Sequence, residues 1–164
     1  MRRITDTILM VRPVAFRMNE QTAVNNYFQE GLQLENEKVN QKAQAEFDAF
    51  VAKLRNVGVN VIVVNDDEKL DTPDSIFPNN WVSFHEDATA VLFPLFAENR
   101  RRERRAEIFD KIEEEGYLIK DVVDYTSAED EELFLESTGS LILDRVNEKA
   151  YCALSPRATE ELLI

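Results

Sequence analysis

One polar segment of the chain carries side chains suited to binding a planar polar group. It places one carboxylate and two carboxamides around aromatic residues, just before a predicted strand: Asp74, Phe77, Asn79 and Asn80. A carboxylate forms charge-assisted, paired hydrogen bonds with a guanidinium. A carboxamide both donates and accepts, so it suits a neutral ureido group with one carbonyl oxygen and two nitrogens. An ordinary polar loop with Asx turns is the alternative interpretation.

One further acid and two arginines could complete such a site. Glu136 lies between a short apolar run and a small-residue turn, where it is either a surface residue or projects inward to orient a histidine. Arg100 opens a basic cluster, 100–105, most of which is predicted to be a solvated helix face. Arg100 could hold a substrate carboxylate, and Arg157, at the matching place of the next repeat, could hold it from another side.

The single cysteine and the single histidine are weaker candidates for chemistry. Cys152 lies in an apolar strand, where a buried thiol usually behaves as a small hydrophobe. His85 lies in a predicted hairpin turn beside two acidic residues and is expected to be solvated. Because a cysteine nucleophile needs an activating neighbour, we do not expect these two residues to form a catalytic pair. One histidine also argues against a zinc site built from this chain alone.

Helices and strands of an α/β pattern must position these residues. Apolar spacing predicts an amphipathic helix of about four turns over 39–54, and a second helix over 100–115. Asn19 is expected to cap a short helix that ends before Gly31, and a last helix is expected to start at Ser155-Pro156 and run to the chain end. The predicted strands are 8–11, 59–64, 81–84, 89–95, 117–123, 140–143 and 149–154.

Parts of this pattern recur along the chain. Gly58 and Gly116, which end the two long helices, lie 58 residues apart, and so do Asp66 and Asp124, which follow the next strands. Each unit reads strand, strand, helix, strand, and such a unit cannot bury its apolar faces without neighbours. The chain holds about two and a half units, so we expect residues 1–164 to form a single incomplete domain. A short natural C-terminal helix is the alternative.

Composition excludes several classes of function. The chain has 164 residues, 19 lysines and arginines against 32 aspartates and glutamates, and a formal net charge of −13. Such an acidic chain is not expected to bind nucleic acid, because phosphate neutralisation needs clustered cations. No apolar run reaches the roughly 18 residues of a membrane helix, and the N-terminal residues lack the apolar region of a signal peptide. A lone cysteine, which can form no internal disulfide, favours the cytoplasm.

Several groups of residues resemble motifs of the guanidino-group-modifying enzymes, the pentein superfamily. They are Asp74-x-x-Phe77-x-Asn79-Asn80, Asn99-Arg100-Arg101-x-Glu103 and Glu136-x-x-Gly139. The N-terminal part is similar to the arginine-deiminase-related amidinotransferase branch, which includes citrulline utilisation hydrolases. Its matching residues are Met10-Val11-Arg12-Pro13 and Thr22-Ala23-x-Asn25-Asn26-x-Phe28-Gln29. The resemblance spans essentially the whole chain.

This resemblance implies an α/β fold, a five-bladed propeller of ββαβ units around a polar centre, of which the chain would be an incomplete part. It also implies a cysteine nucleophile and a histidine acid/base, both in later units beyond Ile164. By analogy the substrate-binding residues are Asp74, Phe77, Asn79, Asn80, Arg100 and Arg157. Asp74, Asn79 and Asn80 would contact the planar head group, and the two arginines would bind the amino-acid end of the substrate. Glu136 would pair with the histidine as a catalytic residue.

One departure from the family pattern bears on the substrate. Many family members carry carboxylates where Asn79 and Asn80 stand, and the loss of two negative charges favours a neutral head group such as that of citrulline. We therefore expect the chain to be the N-terminal part of a hydrolase that cleaves ureido or guanidino C–N bonds. By itself this part is expected to be inactive. A small amino-acid substrate, no cofactor and self-association into a homo-oligomer are expected. A non-catalytic binding domain on the same fold and a stand-alone enzyme using Cys152 are the alternatives.

Overall fold

The computed structural model describes residues 5–25 and 35–163, and the fold is α/β, as predicted. Two compact units divide the described residues: an N-terminal unit that ends at Pro78 and a C-terminal unit that starts at Asn79. Each unit is described by itself below. No helix in the described segments is long and apolar enough to cross a membrane.

The N-terminal unit is a parallel strand pair joined through a long helix. Its elements are β1 (Thr7–Arg12), α1 (Glu20–Ala23), α2 (Asn36–Asn56) and β2 (Asn60–Asn65). Strand β1 pairs with β2 in parallel, with Thr7 opposite Asn60 and Arg12 opposite Asn65. Parallel neighbours need a crossover, which the chain segment containing α2 supplies. The amphipathic helix predicted over 39–54 is confirmed, and it extends to 21 residues.

Local signals fix the ends of these helices. The side chain of Asn19 accepts a hydrogen bond from the backbone N–H of Gln21, which confirms the predicted N-cap of α1. The predicted end of that helix at Gly31 lies outside the described residues. Gly58 follows α2 with φ of +86°, a conformation that costs other residues far more than glycine. The chain therefore reverses at Gly58 and enters β2, as its sequence predicts.

The C-terminal unit contains two small sheets. Strands β3 (Val82–Phe84), β4 (Thr89–Leu92) and β5 (Asp121–Asp124) form the first, and β6 (Leu141–Asp144) and β7 (Lys149–Cys152) form the second. Its helices are α3 (Glu98–Arg101), α4 (Ala106–Glu114) and α5 (Ser137–Ser140). Strand β4 pairs antiparallel with β3 and parallel with β5, so β3-β4-α4-β5 is one complete strand, strand, helix, strand unit.

Two groups of buried apolar side chains support this unit. The first group is Trp81, Ala90, Leu95, Ile108 and Ile112, and the ring of Trp81 packs edge-on against that of Phe109 in α4. The second cluster consists of Phe93, Leu135, Leu141 and Ala158, with Cys152 packed against it. Burial of these side chains from water is the main favourable contribution to folding of the unit.

The prediction of one continuous helix over 100–115 is wrong, because this segment is divided into α3 and α4. Arg105 takes an extended conformation (φ −117°, ψ 135°) and caps α4. Arg101 and Arg104 both form ion pairs with the carboxylate of Glu129, at 3.4 and 2.7 Å. These tertiary contacts outweigh helical propensity between the two segments. The predicted solvated helix face is also wrong, because of residues 101–105 only Arg102 is exposed, while Glu103 is buried and the three other arginines are half-buried.

The last predicted helix, starting at Ser155-Pro156, is also wrong. Residues 155–158 form a tight turn, followed by a single 3₁₀ turn at Glu160–Leu162. Ala158 instead makes isolated β-bridges to Leu135 and Ser155, and the N–H of Thr159 donates to the carbonyl oxygen of Phe134 at 2.8 Å. These backbone groups are thus bonded across to another segment rather than along a helix.

The 58-residue spacing has a structural counterpart at several positions. Gly116 has φ of +90°, close to that of Gly58, and each glycine follows a helix and precedes a strand. Asp66 accepts a hydrogen bond from the Thr72 hydroxyl at 2.7 Å, and Asp124 accepts one from the N–H of Thr126 at 2.8 Å. The same order of helix, glycine, strand and bonded aspartate thus occurs twice.

Candidate functional site

A cluster of buried charged side chains lies in the C-terminal unit. Arg100 is 1% exposed, Glu103 2% and Glu136 3%. The Nε and Nη2 atoms of Arg100 donate to the two carboxylate oxygens of Glu103 at 2.9 and 3.0 Å. This paired arrangement is stronger and more directional than a single hydrogen bond. It fixes the plane of the guanidinium at the end of α3.

The remaining terminal nitrogen of Arg100 orients Asn80. Nη1 donates to the side-chain oxygen Oδ1 of Asn80 at 2.6 Å. A guanidinium has donors only, so the Asn80 atom that faces it must be the oxygen. The amide nitrogen Nδ2, a donor, is therefore turned to the other side. The resulting orientation follows from chemistry, since the reverse would set two donors against each other.

Gly139 leaves the space that Asn80 occupies. A Cβ atom at position 139 would overlap the amide nitrogen of Asn80 and lie 3.0 Å from its Cγ. Gly139 has an ordinary backbone conformation, so its lack of a side chain serves packing rather than a positive φ. This close approach gives a physical reason for glycine in the Glu136-x-x-Gly139 motif.

The buried carboxylate of Glu136 has one oxygen paired and one oxygen open. Its Oε2 lies 3.7 Å from Nη1 of Arg100 and 3.5 Å from Nη1 of Arg157. Its Oε1 is buried and has no hydrogen-bond partner within residues 5–25 and 35–163. Buried carboxylate oxygens are normally bonded to a donor. Oε1 is thus positioned to accept a hydrogen bond from a further group.

Backbone bonds place Glu136 beside Arg157. The N–H of Glu136 donates to the carbonyl oxygen of Arg157 at 3.0 Å, and the bridge between Leu135 and Ala158 continues this pairing. The side chain of Arg157 keeps 19% of its surface exposed, unlike that of Arg100. The formal charges of Arg100, Arg157, Glu103 and Glu136 sum to zero, so the buried cluster is electrically balanced.

The other predicted site residues have separate surroundings. In the N-terminal unit, Oδ2 of buried Asp74 accepts hydrogen bonds from Nδ2 of Asn19 at 2.7 Å and from the Thr22 hydroxyl at 3.2 Å. Phe77 is 44% exposed. In the C-terminal unit Asn79 is exposed, and its carbonyl oxygen accepts from the hydroxyl of Thr138 at 3.2 Å. The cluster therefore unites Asn80, Arg100, Glu136 and Arg157, while Asp74 has its own polar partners.

The expectation of a solvated His85 is wrong. The ring is half-buried, with Nε2 2.9 Å from the Ser83 hydroxyl and Nδ1 3.0 Å from Nη1 of Arg145. Because Arg145 can only donate, Nδ1 accepts and the neutral ring carries its proton on Nε2. Both ring nitrogens are thus engaged, and the Cys152 thiol instead donates to the carbonyl oxygen of Ala153. The geometry gives no support to a catalytic Cys152–His85 pair.

His85 makes stability depend on pH. Burial and then the charge of Arg145 hold the pKa of His85 below its usual value of 6.5. Below pH 6.5, His85 binds a proton more readily in the unfolded chain than in the folded one. The contribution of His85 to the free energy of unfolding is therefore present above pH 6.5 and is lost as the pH falls below it. Acidification from about pH 7.5 to about pH 5.5 is therefore expected to lower Tm through His85.

Thermal unfolding of the wild type and of His85→Gln at both pH values tests this expectation. His85 is the only histidine of the chain, so the variant should lose most of the drop in Tm. An equal drop in both proteins would show that other groups cause it.

Three residues that bond to predicted site residues were not themselves predicted to belong to a site: Glu103 in the C-terminal unit, and Asn19 and Thr22 in the N-terminal unit. Glu103 is the main partner of Arg100, and its spacing of three residues within a predicted helix is a signal that could have revealed the pair. Asn19 and Thr22 lie more than 50 residues from Asp74 along the chain, and no local pattern connects them. Within the described ranges, no group of three His, Cys, Asp or Glu side chains is arranged to hold a metal ion.

Comparison with known proteins gives one family match and several structural matches. The model of the eukaryotic N,N-dimethylarginine dimethylhydrolase family matches residues 12–164. No curated protein matches the chain. The substrate-bound N-terminal domain of ArgZ, a cyanobacterial arginine dihydrolase, has a TM-score of 0.62 and 17% identity, over 94% of this chain and 51% of that one. DDAH from Pseudomonas aeruginosa in complex with citrulline has a TM-score of 0.62 and 20% identity, over 94% and 52%.

A third similar structure is AgrE in its ternary complex with ornithine and NAD+, with a TM-score of 0.63 and 18% identity over 96% of this chain and 21% of that one. DDAH, ArgZ and AgrE are members of the pentein superfamily. At 17–20% sequence identity, these structural matches show the fold of the chain alone. The chain spans about half the length of the ArgZ domain and of DDAH, and about a fifth of AgrE.

Proposed function

Because the chain belongs to the eukaryotic N,N-dimethylarginine dimethylhydrolase family, we propose that it supplies part of the active site of a C–N hydrolase. The bond cleaved is a guanidino or ureido C–N bond of an arginine- or citrulline-like amino acid. The observation that carries the proposal is Glu136, a buried carboxylate that two arginines balance and that keeps one oxygen open. A carboxylate in this state suits the orientation of a histidine, whose basicity it raises.

In this proposal the ββαβ units are blades of a five-bladed propeller, and residues 1–164 form an incomplete domain of about two and a half blades. The repeated order of helix, glycine and strand supports it, as does a matching domain about twice as long. The cysteine nucleophile and the histidine come from residues outside this sequence, so the chain alone is inactive. The lone cysteine supports a cytoplasmic location.

The roles of the residues follow from their atoms. The open oxygen of Glu136 accepts a hydrogen bond from the histidine ring, which leaves the other ring nitrogen to exchange protons with the substrate. The cysteine sulfur adds to the head-group carbon, the bond from that carbon to the departing nitrogen breaks, and the departing amine takes a proton from the histidine. Water then cleaves the carbon–sulfur bond, which restores the thiol and, for citrulline, leaves carbamic acid that splits into ammonia and carbon dioxide. For citrulline the balance is citrulline and water giving ornithine, ammonia and carbon dioxide.

Asn80 supports a neutral head group. Arg100 bonds to the side-chain oxygen of Asn80, so the amide nitrogen remains as a donor, and the side chain of Asn80 makes no other hydrogen bond within the described ranges. A ureido oxygen accepts such a bond, whereas a guanidinium has no acceptor. Arg157 is partly exposed, so its guanidinium suits the carboxylate of the substrate. The buried positive charge of Arg100 also favours a carboxylate at this place. Roles of Asp74, Phe77 and Asn79 in substrate binding stay predictions.

Steady-state assays of the protein encoded by its complete gene test the function. Citrulline, arginine and dimethylarginine are compared, with release of ornithine from citrulline as the main readout. We expect the value of kcat/KM to be at least about tenfold higher for citrulline than for arginine. Faster turnover of arginine would contradict the neutral head group. Binding of citrulline without turnover of any of the three would instead support a non-catalytic binding domain.

A further inference from the structure

We propose that Glu103 is a positioning residue of this site, which acts through Arg100 to set the orientation of the Asn80 carboxamide. The inference rests on the proposed function, because it assigns the consequence to substrate choice. Glu103 is 2% exposed, and both of its carboxylate oxygens accept hydrogen bonds from Arg100. It reaches the site through that guanidinium.

The distances show why the charge of Glu103 matters. Arg100 is held between two carboxylates, bonded to Glu103 at 2.9 and 3.0 Å and only facing Glu136 at 3.7 Å. Buried charges of opposite sign attract strongly. If position 103 were neutral, the nearest compensating charge for Arg100 would be Glu136. The guanidinium would then turn toward Glu136 and away from the oxygen of Asn80.

The orientation of Asn80 depends on this one contact. Arg100 Nη1 lies 2.6 Å from Oδ1 of Asn80 and decides which end of the amide is the oxygen. Gly139 restricts where the amide lies, but its Cα–H cannot distinguish oxygen from nitrogen. With Arg100 turned away, Asn80 would present either end. A site that offers either a donor or an acceptor loses its preference for a ureido oxygen over a guanidinium.

Glu103→Gln tests this chain of contacts, and Glu107→Gln is the matched control. Glu107 is exposed in the first turn of α4, so its variant loses the same charge without touching the cluster. We expect Glu103→Gln to reduce the ratio of kcat/KM for citrulline to that for arginine by about tenfold, with no change in Glu107→Gln. Glu103→Asp, which keeps the carboxylate, should recover part of the ratio.

A double variant separates positioning from a general structural effect. If Glu103 acts through Asn80, adding Glu103→Gln to Asn80→Ser should change the ratio by less than about twofold. Multiplied effects of the two single variants would overturn the proposal. If Glu103→Gln does not fold, Arg100→Lys, which keeps the charge but loses the paired geometry, takes its place in the same comparison.

A readout without turnover separates this proposal from the proposed function. The Asn80 side-chain amide signal in a ¹⁵N NMR spectrum, assigned by its loss in Asn80→Ser, should shift in Glu103→Gln and stay in place in Glu107→Gln. An unmoved signal overturns the positioning role, even if the protein hydrolyses citrulline. A moved signal in a protein that turns over none of the substrates supports the Glu103–Arg100–Asn80 linkage and refutes the function instead. A moved signal with an unchanged substrate ratio overturns the positioning role.

Discussion

Glu136→Gln is expected to lower kcat at least about a hundredfold, the scale of general acid–base catalysis. Glutamine keeps the shape of the side chain but removes the charge that Arg100 and Arg157 share. It also weakens the acceptor that the proposed histidine needs. Loss of one partner of a buried ion pair costs about 3 kcal/mol or more. Because the contacts to Glu136 are as long as 3.5 and 3.7 Å, we expect the free energy of unfolding to fall by an amount near that lower limit.

Glu131→Gln is the control for the loss of one negative charge, since Glu131 is exposed in the same loop region. It should leave kcat and the free energy of unfolding unchanged. Both variants are measured by steady-state kinetics and by denaturant unfolding. A Glu136→Gln variant with the kcat of the wild type would show that the open carboxylate oxygen takes no part in catalysis.

Gly139→Ala is expected to reduce kcat/KM about a hundredfold while the protein stays folded. The new methyl group would overlap the amide nitrogen of Asn80. That nitrogen is the far end of a flexible side chain, so Asn80 moves and the backbone of α5 does not. The helix itself gains slightly, because alanine is a better helix former than glycine by about 1 kcal/mol. Activity should thus fall much more than stability.

Ser140→Ala is the matched control, one residue further along the same helix and free of the overlap with Asn80. It should retain wild-type kinetics and a similar Tm. A crystal structure of Gly139→Ala should show the Asn80 oxygen displaced from Arg100. Wild-type kcat/KM in Gly139→Ala would contradict the assignment of Asn80 to the substrate head group.

The sequence predicted those parts of the fold that local patterns determine. The β-branched run before residue 65, the apolar stripe of α2 and the turn glycines Gly58 and Gly116 each carry their own signal. The break between α3 and α4 carries none, because it depends on Glu129, which lies 25 residues after Arg104. Local helical periodicity continues across a break that only a tertiary ion pair creates.

For the candidate site, the sequence predicted which residues take part better than it predicted the contacts that those residues make. The basic cluster placed Arg100 at a helix start, but it did not reveal the three side chains that face the buried guanidinium, which are Asn80, Glu103 and Glu136. Two of these three lie at least 20 residues away along the chain. The oxygen end of Asn80 follows from the position of one guanidinium, which no sequence spacing specifies. Donor and acceptor roles therefore needed the structure.

The most direct measurement compares the substrate preference of the wild type with that of Asn80→Asp. Aspartate still accepts from Arg100 but has no donor for a ureido oxygen, and its charge favours a guanidinium. The ratio of kcat/KM for citrulline to that for arginine is predicted to fall by about tenfold or more. A ratio that stays the same, or moves toward citrulline, would contradict a site in which Asn80 donates to a neutral head group.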